Sequence, residues 1–417
     1  MKSRRFILAC TAATALAVLA AGGAQARTDA GAAPAADPGV TSTSVTIGGT
    51  VPLTGVAAAY ASVGKGAEAY FKYVNARGGV NGRKVDYRYL DDAYNPANTV
   101  QQTRKLVQED KVFAIYNTLG TEHNLAIRPF LHAAKVPQLF PASGATIFGT
   151  DYRRYPMTTG GFQPSYIAEG RIYGKSIGQI KKNAKVAVLY QNDDYGKDSI
   201  KGLEQGLRFA GKGGRIVAKQ GYEISDADVA SQIGKLRSSK ADVLVIVATP
   251  KPTIQSYIAV NKLGWKPRII VNAVASATNT MKIAQLSSNA RTEGSISIVF
   301  IKDPTDPQWT KDAGGKLYRS IFKTHGSGDI NDIYNVYAMA SAFTFVEALK
   351  KAGKNLTRAS LMRAVTSLNI KNNPFLLPGV SVTTTASDRF PIKQARLQRW
   401  TKGRWVVYGP LLNARAG

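Results

Sequence analysis

The chain is 417 residues long and carries 55 Lys and Arg against 27 Asp and Glu, a formal net charge of +28, with 44% hydrophobic residues and one cysteine. That length exceeds one ordinary core and the apolar share is normal for a folded chain, so two domains are expected and disorder is excluded as the main state. A single cysteine excludes an intramolecular disulfide and a Cys-rich zinc site, three histidines leave little for a metal, and the charge suggests an anionic partner such as nucleic acid.

Lys2, Arg4 and Arg5 open the chain, an apolar run follows from Phe6 to Ala21, and Gly22-Gly23-Ala24-Gln25-Ala26 supplies the small residues a signal peptidase reads. Residues 1–26 are therefore expected to be a signal peptide cleaved after Ala26. The apolar run is shorter than the roughly 20 residues of a permanent membrane-spanning helix. Lipid attachment at Cys10 would leave too few apolar residues after Arg5. Residues 27–43, rich in Ala, Gly and Pro, read as a flexible lead-in to an exported protein.

From Val45 short β-branched runs alternate with helical patterns. Val45–Ile47 is expected as a strand, Ala57–Asn75 as a helix, and Lys84–Leu90 as a strand. Pro96–Gln108 is a helix capped by Asn95, Val112–Tyr116 a strand, Glu122–Ala134 a helix, and Pro137–Phe140 a strand. The pattern pauses around Tyr155–Pro164 and restarts. Lys185–Tyr190, Arg215–Gly221, Val243–Ala248 and Arg268–Asn272 read as strands, and Gly196–Ala210, Asp226–Ser239 and Pro252–Leu263 as helices. Ile330–Lys351 is a long helix with Tyr334, Tyr337, Ala338, Ser341 and Phe345 on one face, and Lys393–Trp400 and Trp405–Tyr408 form a hairpin about Lys402-Gly403. Two βα series in tandem predict an α/β protein of two lobes, parallel sheets flanked by helices, with a ligand cleft beyond the carboxyl ends of the strands.

Catalytic motifs are weak. Gly64-Lys65-Gly66-Ala67-Glu68-Ala69 has the spacing of a dinucleotide loop but falls inside a helix, where close packing explains the glycines. His123 and His132 read as a helix-surface and a half-buried histidine, and with His325 they show no metal-ligand spacing. Asp91-Asp92 and Asp193-Asp194 follow strands, where acid–base work, helix capping and ligand contact are all open. Neither a metal nor another cofactor is expected. The strand-following loops are more informative. Thr118-Leu119-Gly120-Thr121 leads into a helix whose free N–H groups suit a carboxylate, and Pro141-Ala142-Ser143-Gly144-Ala145-Thr146 adds hydroxyls to the same rim. Thr121 could equally be a helix cap alone.

Several runs together carry a family resemblance: Ile47 to Gly55, Asn75-Ala76-Arg77-Gly78-Gly79-Val80-Asn81-Gly82, Asp91-Asp92 with Asn95-Pro96, Leu119-Gly120-Thr121, Val136 to Ser143, and Tyr190 to Gly196. In order and spacing, from about Val45 to Ala348, the chain resembles the leucine/isoleucine/valine-binding family, exported substrate-binding proteins of ATP-driven importers. The resemblance implies two Rossmann-like lobes joined by three crossings of the chain, near Thr159, Ile298 and Leu376. Lobe 1 would comprise 44–164 and 293–375, and lobe 2 165–292 and 376–417. It also implies hinge closure over a small solute and docking on a membrane permease. Thr121 and main-chain groups near Ala142, Ser143 and Gly144 would hold a carboxylate, Tyr60 would pack on the ligand, and Tyr195 would reach across from lobe 2.

The sequence departs from the family after the strand Arg268–Asn272, where amino-acid binders carry an acid for the ligand ammonium and this chain has Ala273-Val274-Ala275-Ser276. Glu122 or Asp194 is a neighbouring substitute. An organic acid, an aromatic carboxylate or an amide is therefore as open as an amino acid. The expected function is that of a monomeric, non-enzymatic solute-binding protein of an ABC importer. The alternatives are a ligand-sensing receptor component and a nucleotide-dependent enzyme. Most of the positive charge falls on the second lobe, much of it in Arg389–Arg404 and Lys175–Lys219, interspersed with apolar residues. That spacing disfavours a nucleic-acid arm and favours an anionic membrane or envelope surface as partner.

Overall fold

The computed structural model describes residues 37–209 and 214–414; the expected signal peptide, its cleavage site and Cys10 lie outside them. The end of the expected flexible lead-in is built into the fold. Thr46 N–H donates to the Gly39 carbonyl at 2.8 Å, and Asp37 accepts the backbone N–H of Arg358 at 2.6 Å.

The first lobe is a βα series: β1 (Ser44–Val51), α1 (Ser62–Asn75), β2 (Lys84–Asp91), α2 (Pro96–Gln108), β3 (Ala114–Tyr116), α3 (Thr121–Ala133) and β4 (Gln138–Leu139). Its four strands are parallel in the order β2-β1-β3-β4, with β1 and β2 in continuous register from Ser44↔Lys84 to Val51↔Asp91. Val45, Ile47 and Val51 of β1 are buried against the flanking helices. At α2 the Asn95 side chain accepts from Ala97 N–H with Pro96 in the first turn, the expected start signal. A one-turn helix, α4 (Ile147–Thr150), precedes the crossing to the second lobe.

There the series is α5 (Tyr166–Ile180), β5 (Lys185–Gln191), α6 (Asp194–Phe209), β6 (Arg215–Tyr222), α7 (Ala230–Ser238), β7 (Val243–Val247), α8 (Pro250–Lys262), β8 (Arg268–Val271), α9 (Thr278–Ser287) and β9 (Ile296–Val299). Every residue of β7 is buried, as its all-apolar run requires of a central parallel strand. The chain then returns through α10 (Ala313–His325), α11 (Ile333–Ala352), α12 (Arg358–Val365) and the small antiparallel pair β10 (Asn369–Ile370) and β11 (Val382–Thr383). It ends in the hairpin β12 (Gln394–Thr401) and β13 (Arg404–Asn413). The hairpin turn places Lys402 at φ 51° and Gly403 at φ 77°, the paired positive values a two-residue loop demands. β12 adds antiparallel to β9, giving a seven-stranded sheet in the order β13-β12-β9-β8-β7-β5-β6.

Two expected lobe boundaries move. The strand β9 hydrogen-bonds in the larger sheet, so a first-lobe segment starting at 293 begins too early; the crossing follows it, where Ile301 bridges Leu376. Residues 376–392 remain with the first lobe, because Thr384 pairs with Leu368 and the Arg389 guanidinium binds the carbonyls of Pro156 and Thr158 at 2.7 and 2.9 Å. The third crossing falls just before β12, beside the first, where Gly160 N–H donates to the Arg389 carbonyl.

The glycines of the Gly64–Ala69 run lie within α1. A Cβ on Gly66 would stand 2.8 Å from the Asn335 backbone, so this glycine lets α1 and α11 touch, and it lies inside the helix rather than at the strand-to-helix turn a phosphate loop needs. The long helix α11 is buried around most of its circumference, more than the one face its pattern suggests. No helix of the described residues is long and apolar enough to cross a membrane.

Candidate functional site

A cavity of about 100 Å³ lies between the lobes at the carboxyl ends of both sheets. Tyr60, Thr121 and Ala142 line it from the first lobe, and Tyr195, Thr249 and Val274 from the second. The lobes are closed over it. Tyr60 and Tyr334 both donate their hydroxyls to the Val274 carbonyl, at 3.0 and 2.7 Å, with their rings edge-on at 5.0 Å. At the rim, Thr146 N–H donates to Asp198 and Asp194 N–H donates to Glu122, at 2.7 and 3.0 Å.

One end of the cavity is the start of α3. Gly120 precedes the helix at φ 107° and gives no side-chain cap, and the N–H groups of Thr121, Glu122 and His123 have no acceptor among the described residues. Such a first turn carries partial positive charge. Thr121 Oγ1 lies 2.7 Å from Ser143 Oγ, so the two hydroxyls form one polar pair beside it. Four of the six expected site residues, Tyr60, Thr121, Ala142 and Tyr195, are on the wall. Ser143 and Gly144 stand behind it: the Gly144 carbonyl accepts Tyr166 N–H at 2.8 Å, and a Cβ there would strike the Tyr166 ring at 2.8 Å. The Tyr195 hydroxyl donates to Asn272 Oδ1 at 2.9 Å, and its ring packs on Tyr166 at 4.7 Å.

The loop Ala273–Ser276 supplies no acid, but the structure puts one in the same place from another element. Glu169, one turn into α5, lines the cavity at 3% exposure. Its Oε1 accepts the Tyr173 hydroxyl at 2.6 Å and the Ala273 N–H at 2.7 Å. Burial drives its carboxyl up to about 7, against the opposing pull of those two hydrogen bonds. The remainder of the wall is mostly aromatic and aliphatic, including Tyr94, Tyr166, Tyr337, Phe300 and Ile333. Sequence reasoning missed Glu169 because it assigned no helix to this segment. The available signal was Ser165, whose side chain caps α5 by accepting Ala168 N–H, ahead of Ile172, Tyr173, Ser176 and Ile177 at helical spacing.

The other acids have different work. Neither Glu122 nor Asp194 is on the wall; they meet each other at the rim. Burial raises the Asp91 carboxyl, but hydrogen bonds from Thr54, Ala93 and Leu53 outweigh it and hold the group below its usual value, a loop-fastening role. Asp193 is pushed up to about 6 by burial, with Gln191 and Gly196 hydrogen-bonded to it. The two histidines exchange their expected environments. His123 is buried against Tyr94 at 4.4 Å, its basicity lowered by burial, whereas His132 is exposed. Among the described residues no group of His, Cys, Asp and Glu could hold a metal ion.

Residues 44–404 match the family model described as periplasmic binding protein. The chain is similar to the Leu/Ile/Val-binding protein homolog 7 of Brucella abortus (strain 2308), 24% identical over 82% of this chain and 84% of that one. Its fold is similar to that of a branched-chain amino acid ABC transporter protein from Thermus thermophilus with bound valine, at a TM-score of 0.76 and 22% identity, covering 89% of this chain and 96% of that one. It is also similar to a solute-binding protein of an ABC transporter from Rhodopseudomonas palustris BisB5 in complex with 3,4-dihydroxybenzoic acid, at a TM-score of 0.73 and 21% identity over 90% and 98% of the two chains.

Proposed function

Because the chain belongs to the periplasmic binding protein family, we propose that it is an exported, non-enzymatic solute-binding protein that captures a small carboxylate-bearing molecule and delivers it to an ABC permease in the membrane. The observation that carries the reading is the closed cavity, whose one end offers the uncapped N–H groups of α3 and the Thr121–Ser143 hydroxyl pair. A cleft of this kind would bind by shifting the population of open and closed lobes, since Tyr60 and Tyr334 reach Val274 only when the lobes meet. The ligands named for two structural relatives, valine and 3,4-dihydroxybenzoic acid, both carry a carboxyl group. Thr121 with the main chain near Ala142 would hold the carboxylate, with Ser143 and Gly144 supporting them from behind, Tyr60 would cover the ligand, and Tyr195 would close it from the second lobe.

Some of the basic residues of the second lobe line a groove away from the cleft, although of the expected stretches Arg389–Arg404 and Lys175–Lys219 only Lys181 is among them. At the opposite ends of β5, β7 and β8 an open groove of about 850 Å³ is lined by Lys181, Arg237, Lys240, Lys266, Arg268 and Arg291. Two acids also line the groove, Asp242, paired with Lys181 at 2.6 Å, and Glu293, whereas Arg237, Lys240, Lys266 and Arg268 form no ion pair among the described residues. This face supports an anionic membrane or envelope surface as a secondary partner.

A thermal-shift screen of amino acids, aromatic acids and amides on the purified chain tests the primary reading. A rise in melting temperature with a carboxylate, lost with its amide or ester, is the expected result; no rise with any small molecule defeats it.

A further inference from the structure

Glu169 has a feature that its hydrogen bonds do not explain. Both of its donors, Tyr173 and the Ala273 N–H, bind Oε1, and among the described residues no hydrogen bond reaches Oε2, on a residue that lines the cavity. A glutamine would serve the same two donors with its carbonyl oxygen and carry no charge. Burying an ionisable carboxyl is costly unless a partner arrives for it. Nothing on the protein side supplies that partner: no Lys, Arg or His lines the cavity, and Glu169 is its one charged residue.

We infer that Glu169 sets the charge of the solute, so that the cleft takes a carboxylate-bearing molecule that also presents a positively charged nitrogen to Glu169 Oε2. The inference rests on the solute-binding reading above and goes beyond it by naming the second charge and the residue that selects it. A solute with only a carboxylate would bring a second negative charge into a small, largely apolar cavity, with no cationic side chain to offset it. A zwitterion places each charge against its complement, the anion at the first turn of α3 and the cation at Glu169. The wall, with Tyr60, Tyr94, Tyr166 and Tyr334 in it, is compatible with this arrangement, because aromatic rings tolerate a nearby cation. The acid reaches the ligand from α5, and its bond to Ala273 fixes it over a loop that has no acid of its own.

The test compares the common amino acids with their des-amino counterparts, such as leucine with 4-methylpentanoic acid and phenylalanine with 3-phenylpropanoic acid. Melting temperature and calorimetric affinity are measured at pH 8 for the wild-type chain and for Glu169→Gln. The variant keeps an oxygen for Tyr173 and Ala273, and circular dichroism confirms its fold. At least one amino acid should bind the wild type roughly tenfold or more tighter than its des-amino partner, and that ratio should collapse in the variant. If only the cation-free acids bind, or the ratio is unchanged by Glu169→Gln, the inference is overturned and the solute-binding reading stands. If nothing in either set binds either protein, the inference is overturned and the solute-binding reading is decided by the wider thermal-shift screen.

Discussion

Tyr60, on the loop after the first strand, donates its hydroxyl across the cleft to the carbonyl of Val274 at 3.0 Å. This contact joins the two lobes directly over the cavity, and Tyr334 reinforces it at the same carbonyl. Replacing Tyr60 by Phe keeps the ring against Tyr334 and removes one closing hydrogen bond, worth about 1 kcal/mol. Solute affinity should fall several-fold, chiefly through faster release, as stopped-flow dissociation would show. Adding Tyr334→Phe should cost more than the sum of the single changes, since Val274 would then lose both of its donors.

Thr121→Ala removes the hydroxyl paired with Ser143 beside the first turn of α3. A carboxylate ligand should bind at least about tenfold more weakly, whereas its uncharged amide should change little. Equal losses for acid and amide in calorimetry would take Thr121 out of the carboxylate site.

The pH response follows from Glu169. Burial raises its carboxyl to about 7 from an ordinary value of 4.5, so the folded state favours the proton. That stabilisation is complete below about pH 4.5 and is lost as pH rises through 7. The titratable groups nearest it, Tyr173, Tyr166 and Tyr195, are all raised further above 10 by burial and stay neutral throughout. Glu169→Gln should therefore stabilise the empty protein at pH 8, by up to about 3 kcal/mol, and hardly at all at pH 4.5. Thermal melts across this range read the difference. A zwitterionic solute should bind the wild type progressively more weakly below pH 7, and this trend should vanish in the variant.

Gly66→Ala tests the packing role of the glycine run. The added methyl meets the Asn335 backbone, and rigid backbone on both sides leaves it nowhere to go. A loss of about 1–3 kcal/mol is expected in denaturant unfolding. Nucleoside phosphates should leave the melting temperature of the wild type unchanged.

Binding to anionic vesicles should be salt-sensitive and should drop when Arg237, Lys240 and Arg268 are changed to Glu, with solute affinity unaltered. Sedimentation with neutral and anionic vesicles at low and high salt measures it. Equal binding to both vesicle types would remove the groove as an electrostatic surface.

What could be read from the sequence follows from how each element is held. The residues 243–247 and 96–108 announce themselves, the first by an unbroken apolar run and the second by Asn95-Pro96, because local chemistry decides both. Helix α5 is hidden for a physical reason. Gly170 and Gly174 sit against the backbone of α6 near Leu203 and Leu207, so the two helices pack main chain to main chain and the sequence shows glycines where a helix would usually show larger residues. Missing that helix meant missing Glu169. The wall residues Tyr60, Thr121, Ala142 and Tyr195 were legible because they follow strands, whereas the crossing points at 300–302 and 389–393 depend on long-range pairing that no local pattern encodes.

The rim contact between Glu122 and the N–H of Asp194 has a practical consequence. It forms between the lobes, Asp194 is about half exposed, and Cys10 is the chain's one native cysteine. A thiol introduced at Asp194 in a chain lacking Cys10 would be a unique attachment point for an environment-sensitive dye. Closure would bring the Glu122 carboxylate to the dye's attachment point, and a resulting change in emission would make the molecule an optical sensor for its own solute.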